Sequence, residues 1–196
     1  MISPKQEEFL QLLEPIHTRL WRFVLSITRD HYEAEDLLSE TVLASYERFD
    51  TLKDKQAFMS FLFTIATRIH HHQQRRKKWF GVYNDEYVNS LVSTNTSPDD
   101  AADIGIIRDA LSRLPLKQRE TVVLFEISGF SLEEIREIQG GTLSGVKSRL
   151  RRGRRDLAKL LGVPVVAEKN NFQQNRFFLR GKTDKIQSPF AIASNE

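Results

Sequence analysis

Apolar residues recur at intervals of three and four along most of the chain, the spacing that lays one stripe on an α-helix. Phe9, Leu12, Leu13, Ile16, Leu20, Phe23, Val24 and Ile27 predict an amphipathic helix over about residues 4–29. Pro15, which lacks an N–H, should end a first short piece or kink the helix there. Asp30 and Glu33 stand at capping-box spacing and open a second helix through Leu37, Leu38, Val42 and Tyr46 to about Arg48. A polar connection, Asp50 to Asp54, precedes a third helix from about Lys55 to Lys78, with Phe58, Leu62, Ile65 and Ile69 as its buried stripe. Three helices joined by short links form a small bundle.

The periodicity stops between residues 80 and 103, where Asn, Ser, Thr and Pro crowd together. A stretch of that length without a period reads as a flexible linker and marks a domain boundary. Helical spacing resumes from Ile104 to Leu114, and Pro115 suits the first turn of a further helix to about residue 127. Ser131 and Glu134 make a capping box for a short helix ending near Ile138. Gly140 and Gly141 then supply a tight turn, and Thr142 can cap a last helix to about Leu161. Short helix, glycine turn and Arg-loaded helix are the grammar of a helix-turn-helix. The expected fold is therefore all-α: a helical domain over 1–79, an acidic linker over 80–103, a helix-turn-helix domain over 104–162, and a weakly periodic tail over 163–196.

Composition narrows the function. The chain has no cysteine, which excludes disulfides, thiolate zinc sites and a cysteine nucleophile. No apolar run approaches the ~18 residues of a membrane span, and Met1 to Glu8 is polar and mixed in charge, unlike a secretory signal. A soluble, cytoplasmic protein without membrane insertion is expected. The net charge of +3 averages blocks of opposite sign. Seven acidic residues between Asp30 and Asp50 face Arg48 alone, a net of −6. Five basic and no acidic residues lie between Arg68 and Lys78, and the linker carries −5. Seven basic residues between Lys147 and Lys159 face only Asp156, a net of +6. Such blocks are either solvated faces or addresses for different partners.

No catalytic motif is present: there is no P-loop, no GxSxG and no HExxH. His70, His71 and His72 are consecutive, and on a helix they diverge by about 100° each, so they cannot share a metal as an i,i+4 pair does. No enzyme activity, cofactor or metal is expected. In the last helix, Val146, Leu150, Leu157 and Leu160 turn inward. Ser144, Lys147, Ser148 and Arg149 behind the Thr142 cap are placed to reach base edges, with Arg151 and Arg152 on phosphates. On the third helix, Ser60, Phe63, Thr64, Thr67, Arg68 and His71 lie opposite the buried stripe and lead into Arg75, Arg76, Lys77, Lys78 and Trp79. Hydrogen-bonding and aromatic groups beside a basic cluster can hold unstacked bases of a single strand. The residues alone point to DNA binding and fit a helix-turn-helix regulator whose N-terminal bundle senses or dimerises.

Two pairs of segments carry a resemblance. Ala34-Glu35-Asp36-Leu37-Leu38-Ser39-Glu40-Thr41, followed by Phe61-Leu62-Phe63-Thr64-Ile65-Ala66, resembles region 2 of bacterial RNA polymerase sigma factors. Leu111-Ser112-Arg113-Leu114-Pro115 and Val146-Lys147-Ser148-Arg149-Leu150 look like region 4. Two such domains with only a linker between them are similar to the compact extracytoplasmic-function (ECF) class of the sigma-70 family.

The resemblance implies partners for each block. The acidic second helix, with Glu35, Asp36 and Glu40, would dock on the clamp of the largest polymerase subunit, and the helix-turn-helix domain on the flap. Asp50, Thr51, Leu52 and Lys53 would join Phe63, Thr64, Thr67, Arg68, His71, His72, Arg75 and Arg76 in capturing and melting the minus-10 element of promoter DNA. Thr142, Ser144, Lys147, Ser148, Arg149, Arg151 and Arg152 would meet the minus-35 duplex. The family's pattern is altered at several points. Phe61 replaces the usual Trp, and Arg68 and His72 stand where Asn and Asp are common, which implies a changed minus-10 preference. The familiar Gly-Thr-Val-Lys has become Leu143-Ser144-Gly145-Val146-Lys147. Gly145 removes a side chain from the reading face, and Gly145 and Gly153 each weaken a helix by about 1 kcal/mol relative to Ala. Weak minus-35 readout is expected, and with it a further partner, an anti-sigma inhibitor or a DNA-bound recruiter that engages the tail or the altered region 4.

Overall fold

A computed structural model of the chain describes residues 2–28, 30–79 and 98–163. Among them no strand occurs, and seven α-helices follow one another: α1 (Pro4–Ile27), α2 (His31–Glu47), α3 (Phe58–Trp79), α4 (Pro98–Ser112), α5 (Leu116–Glu126), α6 (Leu132–Gln139) and α7 (Leu143–Leu160). Single 3-10 turns at Phe49–Thr51 and Lys55–Ala57 join α2 to α3. The segment 80–97, most of the expected linker, and the tail from 164 onward lie outside the described residues.

Local chemistry sets the helix boundaries. The Ser3 hydroxyl accepts from the Gln6 amide at α1, and the Asp30 carboxylate from the Glu33 amide at α2 (2.8 Å). At α6 both halves of the Ser131–Glu134 capping box are made. The Thr142 hydroxyl accepts from the Gly145 amide and starts α7. Each bond satisfies a donor that the first turn would otherwise leave unpaired. Between α6 and α7, Gly140 (φ 73°) and Gly141 (φ 91°) both adopt the left-handed backbone that side chains resist.

Three expectations need correction. α1 does not end at Pro15, the first of the two outcomes expected there, but continues through it. Proline removes one ladder donor, but Leu13 precedes it and Leu20, Trp21, Phe23 and Val24 follow it in one core, and that shared burial keeps both halves in a single helix. α4 starts at Pro98, six residues before Ile104, so the C-terminal end of the predicted linker is helical. A proline in the first turn forgoes only an amide that has no partner there. Pro115 is the cap before α5 and not its first residue.

In the N-terminal half, Phe9 meets Tyr46, Phe49 and Phe58 edge to face at 5.3–5.4 Å, tying α1, the end of α2 and the start of α3 together. In the C-terminal half, α7 lies along α5 and α6 through Val146, Leu150 and Leu157, all buried. Gly153 makes the α5–α7 approach possible: a Cβ there would fall 2.6 Å from Val122 Cγ2 and 3.3 Å from the Gln118 carbonyl oxygen. The glycine that looked only like a weakness is a packing requirement. The two halves also pack on each other, α3 against α6 and α1 against α4 and α5.

Candidate nucleic-acid interface

α7 presents the expected cationic face. Ser144, Lys147, Arg151 and Arg152 are exposed, Ser148 and Arg149 half-buried, and Thr142 exposed at the cap. The structure brings all seven predicted duplex-facing residues onto the first three turns of one helix. Arg154 belongs elsewhere: it pairs with the buried Glu126 and lies over the Phe125 ring, 5.0 Å from its centroid. Partial burial lowers the pKa of the Arg149 guanidinium, as does neighbouring Arg152, while the charge of Glu120 opposes both. Its Nε and Nη2 meet no acceptor among the described residues.

α3 divides its predicted residues between two faces. Arg68, His72, Arg75 and Arg76 are exposed, and with Trp79 they recur at intervals of three and four along one side of the helix. Trp79 is 87% exposed, an indole at the end of a cationic stripe. Thr64 is half-buried and its hydroxyl donates to the Ser60 carbonyl (2.7 Å). Phe63 and Thr67, by contrast, are buried, and His71 is largely covered. The Phe63 ring sits 4.8 Å from Phe130, which precedes α6, and 5.0 Å from Phe23 of α1. Phe58 and Leu62 turn into the core, Ile65 is buried and Ile69, the last of the expected stripe, half-buried, so α3 is buried on two sides. In the loop before α3, Asp50, Thr51 and Lys53 are exposed, while Leu52 packs against the core. Asp50 pairs with Lys5.

The acidic face of α2 is open. Asp36 and Glu40 are exposed, with Glu40 accepting a hydrogen bond from Gln73 of α3 (2.8 Å). Glu35 is half-buried beside His31 at 3.2 Å. Tyr32 (71% exposed) and Leu43 (60%) fall on the same side as Asp36 and Glu40, at helical spacing. Sequence reasoning passed over these two, although their absence from the Ala34, Leu37, Leu38, Thr41 and Ser45 core stripe would have placed them outside.

Comparison with known proteins then decides the family. Residues 12–80 match the sigma-70 region 2 family and residues 104–157 match sigma-70 region 4. An ECF RNA polymerase sigma factor, EcfG of Rhodopseudomonas palustris, is 31% identical over 144 residues, covering 72% of this chain and 78% of that protein. The chain is an ECF sigma factor. SigW of Bacillus subtilis, another of the class, is 28% identical over 169 residues, covering 80% of this chain and 90% of its own. Among solved structures, the sigma factor RpoE of Bartonella quintana, in complex with the anti-sigma factor NepR, superposes with a TM-score of 0.68 at 28% identity. That match covers 81% of this sigma factor and 98% of the solved chain. CnrH, in complex with the cytosolic domain of CnrY, shares the fold with a TM-score of 0.59 over 80% of this chain and 89% of its own. No described helix of this sigma factor is long and apolar enough to cross a membrane.

Proposed function

We propose that this sigma factor joins core RNA polymerase in the cytoplasm, recognises a promoter, holds its unpaired minus-10 strand and sets the transcription start. It supplies binding energy and no catalysis of its own. The observation that carries the reading is the division of charge among the helices. An open acidic face on α2 lies in the same chain as two separate cationic faces, one on α3 ending in an exposed Trp79 and one on a capped recognition helix.

The acidic and apolar strip of α2, with Asp36, Glu40, Tyr32 and Leu43, is the docking surface for the clamp. The α3 stripe takes the phosphates of a single strand, and Trp79 offers a ring for stacking. α7 enters the duplex with Lys147, Arg151 and Arg152 on phosphates. Its base readout is weak, because Gly145 presents no side chain where Ser144 and Ser148 stand. A further protein, an anti-sigma factor or a DNA-targeting recruiter, therefore controls where and when it acts. One structural relative, RpoE of Bartonella quintana, is solved in complex with an anti-sigma factor.

A pull-down with tagged full-length protein tests both parts. Asp36→Lys combined with Glu40→Lys should lose core polymerase, and removal of residues 163–196 should lose the additional partner. Retention of core by the charge-reversed variant would overturn the docking reading, and retention of every partner after the deletion would overturn the role of the tail.

A further inference from the structure

The loop between α2 and α3 is held more tightly than a polar connection need be. Phe49, at its start, is buried edge to face with Phe9 and Phe58. The Thr51 and Leu52 amides donate to the Arg48 and Phe49 carbonyls (2.9 and 3.0 Å), and the Thr51 hydroxyl also donates to the Arg48 carbonyl (2.7 Å). At the far end the Asp54 carboxylate accepts from the Gln56 amide (2.9 Å), and the Ala57 amide donates to the Asp54 carbonyl (3.1 Å). Both ends are wound into turns, and Leu52, Lys53 and Asp54 span the gap between them.

Two lysines tie this loop to the start of α1, one from each side. Lys5 of α1 pairs with Asp50 of the loop, and its ammonium stands 5.0 Å from the centroid of the Tyr46 ring. Lys55 of the loop pairs with Glu8 of α1 (3.2 Å), its ammonium 3.6 Å from the centroid of the Phe49 ring. Lys5 and Glu8 are three residues apart and share one side of the helix. An exposed ion pair alone contributes little. Here each ammonium also lies against an aromatic ring, and the two pairs fasten both ends of one short loop to one helical turn. Of the four loop residues expected to face DNA, Leu52 packs against the core and Asp50 is neutralised by Lys5. Thr51 and Lys53 remain exposed. A carboxylate with no cation beside it would repel the phosphates of an approaching strand.

We propose that Lys5 and Glu8 of α1 are positioning residues for promoter reading. By gripping Asp50 and Lys55 they fix the loop shape in which Thr51 and Lys53 meet the unpaired strand, and so set its base preference. This rests on the reading of the loop and α3 as the minus-10 face. Asp50 acts through Lys5 and touches no base. A loop already in its binding shape gives up less conformational freedom when the strand arrives, and it disfavours strands that need another shape. Affinity itself comes from the phosphate contacts of the α3 cations.

The test uses core polymerase reconstituted with the full-length protein and a pool of short single strands of random sequence. Retained strands are sequenced, and enrichment of the preferred base at the most selective position is compared among variants. Lys5→Ala and Glu8→Ala should each lower that enrichment about threefold, the scale of an exposed ion pair, with total retention little changed. Lys5→Asp combined with Asp50→Lys restores the pair in reverse and should recover the wild-type profile, whereas either change alone should not. Retention and enrichment that fall together would mark a loss of folding and count against the positioning role. Lys53→Ala reports on the underlying reading: an unchanged profile there would remove the loop from the strand and the proposal with it. A profile altered by Lys53→Ala but unmoved by Lys5→Ala and Glu8→Ala would overturn the positioning role while the loop still reads the strand. Failure of the reversed pair to recover the profile would make Asp50 a direct contact and overturn it too.

Discussion

Glu120 and Gly153 show how much a single position can decide. Burial alone would raise the Glu120 carboxyl, but the hydrogen bonds and charges of His70 and His71 outweigh it and hold the carboxyl below its usual range. A carboxyl whose pKa is depressed in the folded state stabilises that state above its unfolded pKa, and the stabilisation is lost as pH falls through the folded value. The urea midpoint of the wild type should therefore fall toward that of Glu120→Gln as the pH is lowered through and below the usual carboxylate range. Parallel pH profiles for the two proteins would refute this. At Gly153, alanine would gain about 1 kcal/mol of helix propensity. It would also force a Cβ to within 2.6 Å of a buried valine methyl, and overpacking of that kind costs about 1–3 kcal/mol. Gly153→Ala should lower the melting temperature, whereas propensity alone would have it rise.

At the scale of the helix, what could be read in advance was whatever is local. Asp30, Ser131 and Thr142 cap the helices they precede because a cap and its amide lie three residues apart in sequence. The cationic face of α7 follows from the spacing of Val146, Leu150 and Leu157, which turn inward. Leu160, expected with them, is exposed because it lies in the last turn, past the packed face. Position in the tertiary fold was harder to read. Phe63 and Thr67 stand opposite the first buried stripe of α3, and nothing in their neighbourhood announces that a second domain covers them. That the helix continues past Pro15 was hidden for the same reason, since the burial that holds both halves together comes from other helices. Within α7 the arginines separate into two roles that one titration can tell apart. In the polymerase complex on promoter duplex, Lys147→Ala and Arg151→Ala should each flatten the dependence of log affinity on log salt by about one. Arg154→Ala should leave that slope unchanged and lower thermal stability, because Arg154 is engaged with Glu126.

For the whole molecule, a net charge of +3 is a sum over blocks of opposite sign. The order of the two sigma-70 regions, and the relatives that share it, establish the family. The distribution of charge over α2, α3 and α7 carries the proposal of what each surface does. The closed packing of the domains had no sequence signal, because Glu120 and His71 lie 49 residues apart and meet only in the fold. The most direct measurement is transcription from linear promoter-bearing DNA by core polymerase reconstituted with the purified protein, with the 5′ ends mapped. The account predicts defined starts that core alone does not produce and that vanish with Asp36→Lys and Glu40→Lys together. Tight binding to a duplex site without core polymerase, and no transcript above that of core alone, would contradict it.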